Sequence, residues 1–377
     1  MHLDGSEYPE YIPYKHNWTP KTLKVKLQNI AEVVCEVDAD IIGLQEVENR
    51  HALILLQHHL KRYGCPYAYR AITHTPQSAI QVALLSKIPI QKHQDLVVTR
   101  ARGIRNILEV TLDIEGEPLY VFVNHWNSKR SPNSKRLRSA KRLKARMLQL
   151  PKRSPVVVLG DFNLHYTESI MEDTLQGVRP CRIQTDPKVL VNLWFELPIY
   201  RRWSHNFYGK KQSLDAILLS SALFDGEGLE YKKGSFHPFK PNYLFHKKGY
   251  VLRWRYEKGR HRGEGYSDHL PVVAEISTNQ PYTFRHCDPI VGSIEMLHQK
   301  EVRLPLLLQH VQVVEKKPKH AVIQQGKYTI TLYGLEGSLE LGKFYDLVVY
   351  QRTRYQGIYE VVDFSIKNSY DTTQKRN

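Results

Sequence analysis

Apolar residues recur at helical spacing in two segments of the chain, and three helices are predicted in all. Thr19 and Pro20 are typical of a helix start, because a threonine accepts a hydrogen bond from the first turn and proline fits the first helical position. The apolar residues that follow at helical spacing are Leu23, Leu27, Ile30, Val34 and Val37. We predict a second helix over residues 50–62. A third helix is predicted from one apolar stripe formed by Leu137, Ala140, Leu143, Met147 and Leu150.

Short apolar runs lie between and after these helices and predict buried strands. The runs are ADIIGLQEVEN with its strand ending at Glu46, AIQVALLS (79–86), RNILEVTLDI (105–114), PLYVFVNHW (118–126), SPVVVLGDFN (154–163), SLDAILLS (213–220) and GYSDHLPVVAEI (265–276). The last run is apolar enough to be covered on both faces. Strands with helices between them indicate a layered α/β domain, which we expect to span residues 1–280.

The pattern changes after this domain. Residues 281–290 are rich in proline, cysteine and polar groups and are predicted to form a linker. The segments RLPLLLQHVQVVEKK, GKYTITLYG, KFYDLVVYQRTRY and IYEVVDFSI then alternate as strands do, with no helical pattern. We expect residues 291–366 to form a small all-β domain, with an OB-like barrel as the favoured form and a β sandwich as the alternative. Residues 367–377 are expected to be disordered.

The net charge of +16 indicates a polyanionic partner, because so much like charge repels itself. Two clusters carry it. Residues 125–155 contain eleven Lys or Arg and no acid, and residues 231–262 contain ten Lys or Arg and a single acid, Glu257. The second cluster is interleaved with Phe, Tyr and Trp. Basic side chains neutralise phosphates and aromatic rings stack on bases, so the mixture favours nucleic acid.

Other classes of protein are disfavoured. No apolar run approaches the roughly 18 residues of a membrane-spanning helix, and the first fifteen residues do not resemble a signal peptide. The sequence as given therefore favours a cytoplasmic location, while secretion stays open if an export signal precedes it. The four cysteines are Cys35, Cys65, Cys181 and Cys287, which form no C-x-x-C pair, so we expect reduced thiols.

Polar residues that can do chemistry follow several of the apolar strands. They are Glu46, Asn124, His125, Asp161, Asn163, Asp268 and His269. Strand ends are where sites collect in layered α/β folds, and so many carboxylates would be costly to bury without a metal or partner. The set therefore predicts one site at a rim of the sheets.

The residue types suit hydrolysis of a phosphate ester. Glu46 is a hard oxygen ligand suited to Mg²⁺ or Mn²⁺. Asp161 and Asn163 can face one cleft, with one orienting a water and the other donating to a phosphate oxygen. The histidines can donate to phosphate oxygens as charge develops, and one of them can pair with Asp215, which would fix its tautomer.

In this order, LQEVEN, VNHWNSK, VLGDFN, SLDAILLS and YSDHLPV resemble the five signature segments of the endonuclease/exonuclease/phosphatase superfamily. Any one segment alone is a weak signal, but five in order are strong. The resemblance covers about residues 19–277. It implies a DNase-I-like fold, a four-layered α/β sandwich in which two packed mixed β-sheets are flanked by helices.

The resemblance also implies roles. Glu46 is the metal ligand, His125 contacts the scissile phosphate, Asp161 positions the attacking water and Asn163 holds a phosphate oxygen. Asp268 assists catalysis and the metal.

His269, held by Asp215, is then the general base or the transition-state stabiliser.

The family begins with a strand that ends in Asn, and no such strand precedes Thr19, since Asn17 lies in a proline-rich loop. A start downstream of the natural beginning is favoured over loss of the strand.

The substrate is predicted from the flanking segments. The basic helix after His125 brings Lys129 and Arg130, and the basic insert, residues 231–262, brings Arg253, Trp254 and Arg255, while Asn124 lies beside His125. These residues are predicted to bind substrate along a groove for a phosphate backbone. A nuclease acting on DNA or RNA is the first hypothesis. The alternatives are a phospholipid or phosphoinositide phosphodiesterase or phosphatase of the same fold, and a catalytically impaired nucleic-acid-binding protein. Oligomeric state is not predicted.

Overall fold

The computed structural model describes residues 3, 8–76, 78–100, 103–180, 189–207, 209–278, 288–333 and 339–370. The chain divides into two compact units: Met1–Glu196 with Trp203–Phe284, and Leu197–Arg202 with Arg285–Asn377. The helices are α1 (Pro20–Val37), α2 (Arg50–Arg62), α3 (Asn133–Met147) and the short α4 (Ile294–Leu297). None of the helices in these residues is long and apolar enough to cross a membrane.

The helix predictions of the first unit are confirmed. The Thr19 hydroxyl accepts the backbone N–H of Thr22 at 3.2 Å, so α1 begins as its sequence predicts. Asn49 caps α2 in the same way, through the backbone N–H of Ala52. On α3 the predicted apolar stripe is buried at Ala140, Leu143 and Met147, although the helix ends before Leu150.

Two main sheets form the centre of the first unit. One has three strands in the order β1-β3-β2, and the other has seven in the order β4-β5-β6-β7-β12-β9-β8. The strands up to β12 are β1 (Ile41–Val47), β2 (Tyr69–Ile72), β3 (Gln81–Ser86), β4 (Ile90–Leu96), β5 (Ile107–Ile114), β6 (Glu117–His125), β7 (Val156–Asp161), β8 (Gly177–Val178), β9 (Leu190–Asn192), β10 (His205–Phe207), β11 (Lys210–Gln212) and β12 (Asp215–Ser220). β10 and β11 form a separate hairpin. β1 is an edge of its sheet among the described strands.

The two sheets pack face to face and carry helices outside. A side chain on Gly43 of β1 would collide with Leu159 of β7, so glycine is needed where the sheets approach. The outer face of β1 and β3 packs on α1 and α2 in one apolar cluster. On the other sheet, Arg146 of α3 forms two hydrogen bonds with Glu109 of β5, at 2.7 and 2.8 Å. The arrangement is the four-layered α/β sandwich that the sequence predicts.

The segment GYSDHLPVVAEI does not form the predicted strand covered on both faces. It contains only two short strands, β17 (Val272–Val273) and β18 (Ile276–Ser277), and both are half-buried. They pair with β14 (His237–Pro238) and β13 (Glu230–Tyr231), which lie in the basic insert or at its start, and not with the main sheets. Within the insert, β15 (Tyr256–Glu257) and β16 (Arg260–His261) pair as a hairpin.

The second unit is all-β apart from α4. Its strands are β19 (Ile290–Gly292), β20 (Leu306–Lys316), β21 (His320–Gln325), β22 (Tyr328–Tyr333), β23 (Phe344–Tyr355) and β24 (Ile358–Tyr370). They pair in the order β19-β20-β21-β22-β24-β23, and β23 also pairs with β20, which closes a five-stranded ring. β21 was not predicted. The fold class predicted from sequence, an α/β sandwich followed by a small all-β region, is therefore confirmed.

Two sequence expectations change here. Residues 367–370 belong to β24 and are not part of a disordered tail. The rest of the predicted tail, residues 371–377, and residues 281–287 of the predicted linker lie outside the described residues.

Cys35 of α1 and Cys65 after α2 form a disulfide, with their Cα atoms 5.6 Å apart. The expectation of reduced thiols is wrong for this pair, because packing of α1 on α2 brings together cysteines that lie 30 residues apart. Cys181 and Cys287 are outside the described residues.

Candidate active site

Strand register brings three of the predicted site residues side by side. β6 and β7 run parallel, so His125 lies opposite Asp161, and β12 runs antiparallel to β7, so Asp215 lies on the other side of Asp161. Asp161 and His125 end their strands, while Asp215 begins its own. The three side chains therefore collect at one rim of the seven-stranded sheet.

A glycine makes the close approach of β6 and β7 possible just before this rim. Gly160 has a φ of +128°, and a Cβ at this position would lie 2.1 Å from the backbone oxygen of Asn124. A residue with a side chain would push the two strands apart. The glycine in the segment VLGDFN is therefore a requirement of the backbone that positions Asp161.

Asn163 holds the Asp161 carboxylate in a fixed orientation. Its backbone N–H donates to Oδ1 of Asp161 at 2.8 Å, and its side-chain amide donates to Oδ2 at 3.0 Å. Asn163 adopts a left-handed conformation, with a φ of +51°, that turns it back toward Asp161. Burial raises the pKa of Asp161, helped by the charges of Asp215 and Glu46, against the lowering effects of His269 and Asn163.

His125 is a buried, neutral imidazole. Its Nε2 atom lies 3.4 Å from Oδ2 of Asp161. Burial lowers the pKa of His125 well below its usual range, and the positive charges of Arg105 and His269 add to this effect. Nδ1 of His125 is buried and has no hydrogen-bond partner among the described residues. The ring thus keeps hydrogen-bonding capacity that the fold does not use.

Asp215 pairs with His269, as the sequence predicts for one of the two histidines. Nδ1 of His269 lies 2.8 Å from Oδ2 of Asp215, and the same carboxylate oxygen accepts the Ser204 hydroxyl at 2.6 Å. Burial by itself would lower the pKa of His269. The charge and hydrogen bond of Asp215, with the charges of Asp161 and Asp268, instead raise it well above its usual range. These interactions favour the imidazolium form of the ring, which donates through both nitrogens.

Glu46 is turned outward by a β-bulge. The register between β1 and β3 shifts between Leu44 and Val47, and Glu46 has a φ of +56° and an exposed side chain. Bulges of this kind redirect side chains beside functional sites. Glu46 is not among the groups whose ligand atoms lie within 4.8 Å of one another in the described part of the chain, but its charge contributes to the raised pKa of Asp161.

Two clusters of potential ligand atoms include His269. One joins it to Asp161 and Asp215, and the other joins it to His205 and Asp268. The Asp268 side chain is 60% exposed, so its oxygens can be reached from solvent. A divalent cation fits this rim, because in each cluster one donor atom from each of three residues lies within 4.8 Å of the others. Glu46 and Asp268 add exposed carboxylates, a donor type that hard divalent cations bind.

Asn124, predicted to bind substrate, has its side chain turned into the fold. The residue is fully buried. Its amide donates to the backbone oxygens of Phe122 and Leu159 at 3.0 and 3.2 Å, and its side-chain oxygen accepts the Trp126 indole N–H at 3.0 Å. Its hydrogen-bonding groups are engaged inside the fold, so Asn124 stabilises the end of β6.

Of the basic residues predicted to bind substrate, two form ion pairs with acidic residues and two are exposed. Lys129 forms an ion pair with Glu168 at 2.8 Å. Arg255 is held by Glu257 at 2.7 Å and also by Glu264. Their charges are thus partly neutralised, while Arg130 and Arg253 are exposed.

Trp254, the third residue predicted from the insert, packs inward. Its ring lies 6.4 Å from Trp18 in an edge contact, and its indole N–H donates to Nδ1 of His261 at 3.0 Å. The ammonium of Lys26 lies 4.9 Å from the Trp254 ring and 5.3 Å from the Tyr11 ring. Trp254, one of the predicted substrate-binding residues, is therefore half-buried with its ring against the ammonium of Lys26.

Sequence reasoning missed Lys26, Tyr11, Ser204 and His205. The charges of Glu46 and Asp268 both act on Lys26 and on Tyr11, which places these two residues beside the exposed carboxylates. A lysine on an amphipathic helix is usually a solvated residue, and an isolated Ser-His pair has no motif. No local signal in the sequence could have identified them.

The family assignment rests on a sequence model. The model of the Endonuclease/Exonuclease/phosphatase family matches residues 5–278, well over half of the chain. A search of curated proteins gives no match.

Among solved structures, a humanized TDP2 of D. rerio has 16% identity and a TM-score of 0.49 over 69% of this chain and 94% of that chain. D. rerio TDP2 with a single-strand DNA product has 15% identity and a TM-score of 0.49, covering 68% and 93%. A mannosyl-6-phosphatase of Bacteroides thetaiotaomicron has 16% identity and a TM-score of 0.46, covering 68% and 91%. The chain belongs to the endonuclease/exonuclease/phosphatase family and is a hydrolase acting on phosphate esters.

Proposed function

We propose that this protein is a metal-dependent phosphodiesterase that hydrolyses the phosphodiester bonds of nucleic acid. The observation that carries the proposal is the row His125, Asp161 and Asp215 across three adjacent strands, with His269 bonded to Asp215. The row combines a carboxylate of raised pKa, a neutral imidazole and an imidazolium at one rim. Separated acid and base pKa values are what general acid–base hydrolysis requires.

Asp161 is the proposed group that orients the attacking water and takes its proton. A carboxylate whose pKa is raised toward neutrality is a better base than an ordinary aspartate. Asn163 keeps both carboxylate oxygens aligned, so little reorganisation is needed as the water attacks.

The two histidines serve as donors to the phosphate. The His269 imidazolium, oriented by Asp215, would stabilise the negative charge that develops on the non-bridging oxygens. His125 is neutral and would contribute a hydrogen bond without adding charge. Because His269 is protonated before the reaction, we assign it as a transition-state stabiliser and not as the general base.

Glu46 and Asp268 would hold the divalent cation, with Mg²⁺ or Mn²⁺ suited to their oxygen donors. Bound there, the cation would supply Lewis-acid polarisation of the phosphate and charge neutralisation at the leaving oxygen. The exposed placement of both carboxylates supports this assignment, since such ions keep several waters of their own.

Surface charge favours nucleic acid as the substrate. α3 follows the strand that ends in His125 and exposes Arg138 and Lys141 on its outer face. The insert exposes further cations, including Lys247, Lys248 and Arg253. Fixed cations around the chemistry would neutralise the phosphates that flank the cleaved bond.

A phospholipid substrate is less well supported. Membrane docking needs exposed apolar side chains, and Phe236 of the insert is buried at 1% exposure. Among the large hydrophobic side chains of the insert, the exposed ones are Tyr250 and Tyr256, which have polar tips. A nuclease activity therefore fits the insert better.

The test is cleavage of end-labelled single-stranded DNA, duplex DNA and RNA, with Mg²⁺ or with EDTA. We expect internal cleavage that needs the metal, that His269→Ala abolishes and that His237→Ala, an exposed histidine of β14, leaves intact. Release of terminal phosphate alone would assign a phosphatase instead. Binding without cleavage by the wild-type protein would assign a nucleic-acid-binding protein that has lost catalysis.

A further inference from the structure

His205 lies directly beside the Asp268–His269 pair, although it belongs to no signature segment. It begins β10, where an isolated antiparallel bridge links its backbone to that of His269. The two imidazole rings lie 4.6 Å apart between centroids. His205 is 8% exposed, so packing fixes the ring position.

The three side chains bring donor atoms close together. Nε2 of His205 lies 3.9 Å from Oδ2 of Asp268, and one donor atom from each of the three residues lies within 4.8 Å of the others. Ligands at about 2.0–2.2 Å from one ion stand roughly 3–4 Å apart, so only small side-chain rotations would complete the coordination.

We propose that His205, Asp268 and His269 form a binding site for a transition-metal ion of the Zn²⁺ type, and that the bound ion inhibits hydrolysis. The inhibitory effect rests on the function proposed above, whereas binding of the ion does not.

The donor set distinguishes this site from the oxygen site of Glu46 and Asp268. Two imidazoles and one carboxylate suit Zn²⁺, Co²⁺ or Ni²⁺, while Mg²⁺ prefers oxygen alone. One of the ring nitrogens is already held as it would be in a metal site. Nδ1 of His269 is held by Asp215, which leaves Nε2 as the ligand atom once the incoming ion has displaced its proton to solvent. Histidine ligands are commonly oriented in this way by a second residue.

Inhibition follows from shared ligands. An ion at this point would occupy His269, which stabilises the phosphate, and Asp268, which would hold the catalytic cation. Both would be withdrawn from hydrolysis at once.

Binding is tested first, on the full chain stripped with a chelator. Titration with Co²⁺ should produce visible absorption bands of a site with nitrogen ligands, and Zn²⁺ should displace the Co²⁺. Loss of an outer partner alone weakens metal affinity about 10- to 100-fold, so His205→Asn should weaken Co²⁺ binding at least about 10-fold. His237→Asn is the matched control and should bind Co²⁺ as the wild type does.

Asp268→Asn is the second variant, because its exposed side chain can change without disturbing packing. It should also weaken Co²⁺ binding if the site is as proposed. Wild-type protein that gives no such bands, or variants of His205 and Asp268 that bind Co²⁺ as tightly as the control, would overturn the site.

Inhibition is tested second, as the Zn²⁺ concentration that halves Mg²⁺-dependent cleavage. We expect a rise of at least about 10-fold in His205→Asn and none in His237→Asn, following the loss of affinity. Equal inhibition of both variants would refute the inhibitory role. If no protein cleaves nucleic acid, the proposed function fails, and the Co²⁺ titration still decides the metal site.

Discussion

Replacing Asp215 by Asn tests how the pair Asp215–His269 works. The change keeps the size of the side chain but removes the charge that raises the pKa of His269. The lost contact is a charge-assisted hydrogen bond of 2.8 Å. Such a bond contributes about 1.5–3 kcal/mol, which at about 1.4 kcal/mol per tenfold corresponds to a fall in kcat/KM of about 10- to 100-fold. Asp225→Asn, an exposed aspartate beyond the end of β12, is the control.

The pH profile separates a catalytic effect from a structural one. With His269 needed as the imidazolium, activity is present below its raised pKa and is lost as pH rises through that value. Asp215→Asn lowers this pKa, so the alkaline limb of kcat/KM should move to lower pH. The acid limb reports Asp161, whose raised pKa sets where the base becomes protonated. An alkaline limb that does not move, or activity within about twofold of wild type, would refute the assigned role of His269.

Three further predictions concern other parts of the molecule. Lys26→Met removes a cation beside the proposed metal ligands. Isothermal titration with Mn²⁺ should then show about five-fold tighter binding, because about 1 kcal/mol of charge repulsion is lost, and Lys24→Met should leave Mn²⁺ affinity unchanged. Arg202→Met breaks the ion pair between Arg202 and Asp363, whose two side chains are 1% and 5% exposed. The free energy of unfolding of the second unit, measured with urea, should fall by about 3–5 kcal/mol, and a fall under about 1 kcal/mol would contradict this. Gly160→Ala should lower the melting temperature, because its Cβ has no room and its backbone is strained by about 1–3 kcal/mol; an unchanged melting temperature counts against the strand spacing described here.

Local pattern was sufficient to predict much of the fold. Apolar runs predicted β1, β3, β5, β6, β7 and β12, because a strand covered on both faces must be apolar throughout. The other strands of the two main sheets, β2, β4, β8 and β9, were not predicted. The cap at Thr19 and the stripe on α3 likewise follow from local chemistry. A strand was predicted near Val272, but its division into two short strands and their pairing could not be, because the partner strands lie about 35 residues earlier along the chain.

The sequence predicted which residues form the candidate site, from their types and their order along the chain. Their spatial arrangement is set by the register of β6, β7 and β12. The apolar runs place Asp161 after its strand and Asp215 before its own, but only the antiparallel pairing of β12 with β7 makes the two residues neighbours. Asn124 looked like a site residue because it precedes His125. It points into the fold because side chains alternate along a strand. His205 enters the site through a bridge between distant segments, which a single sequence does not encode visibly.

The most direct test of the central claim is the rate at which the protein cleaves an end-labelled oligonucleotide in Mg²⁺, compared between wild type and Asp161→Asn. Asparagine preserves the shape of the side chain but cannot take a proton from water. The account predicts metal-dependent cleavage by the wild type and a loss of at least about 100-fold in the variant, the usual contribution of a general base. Cleavage by Asp161→Asn at the wild-type rate would contradict the assignment of this rim as the active site.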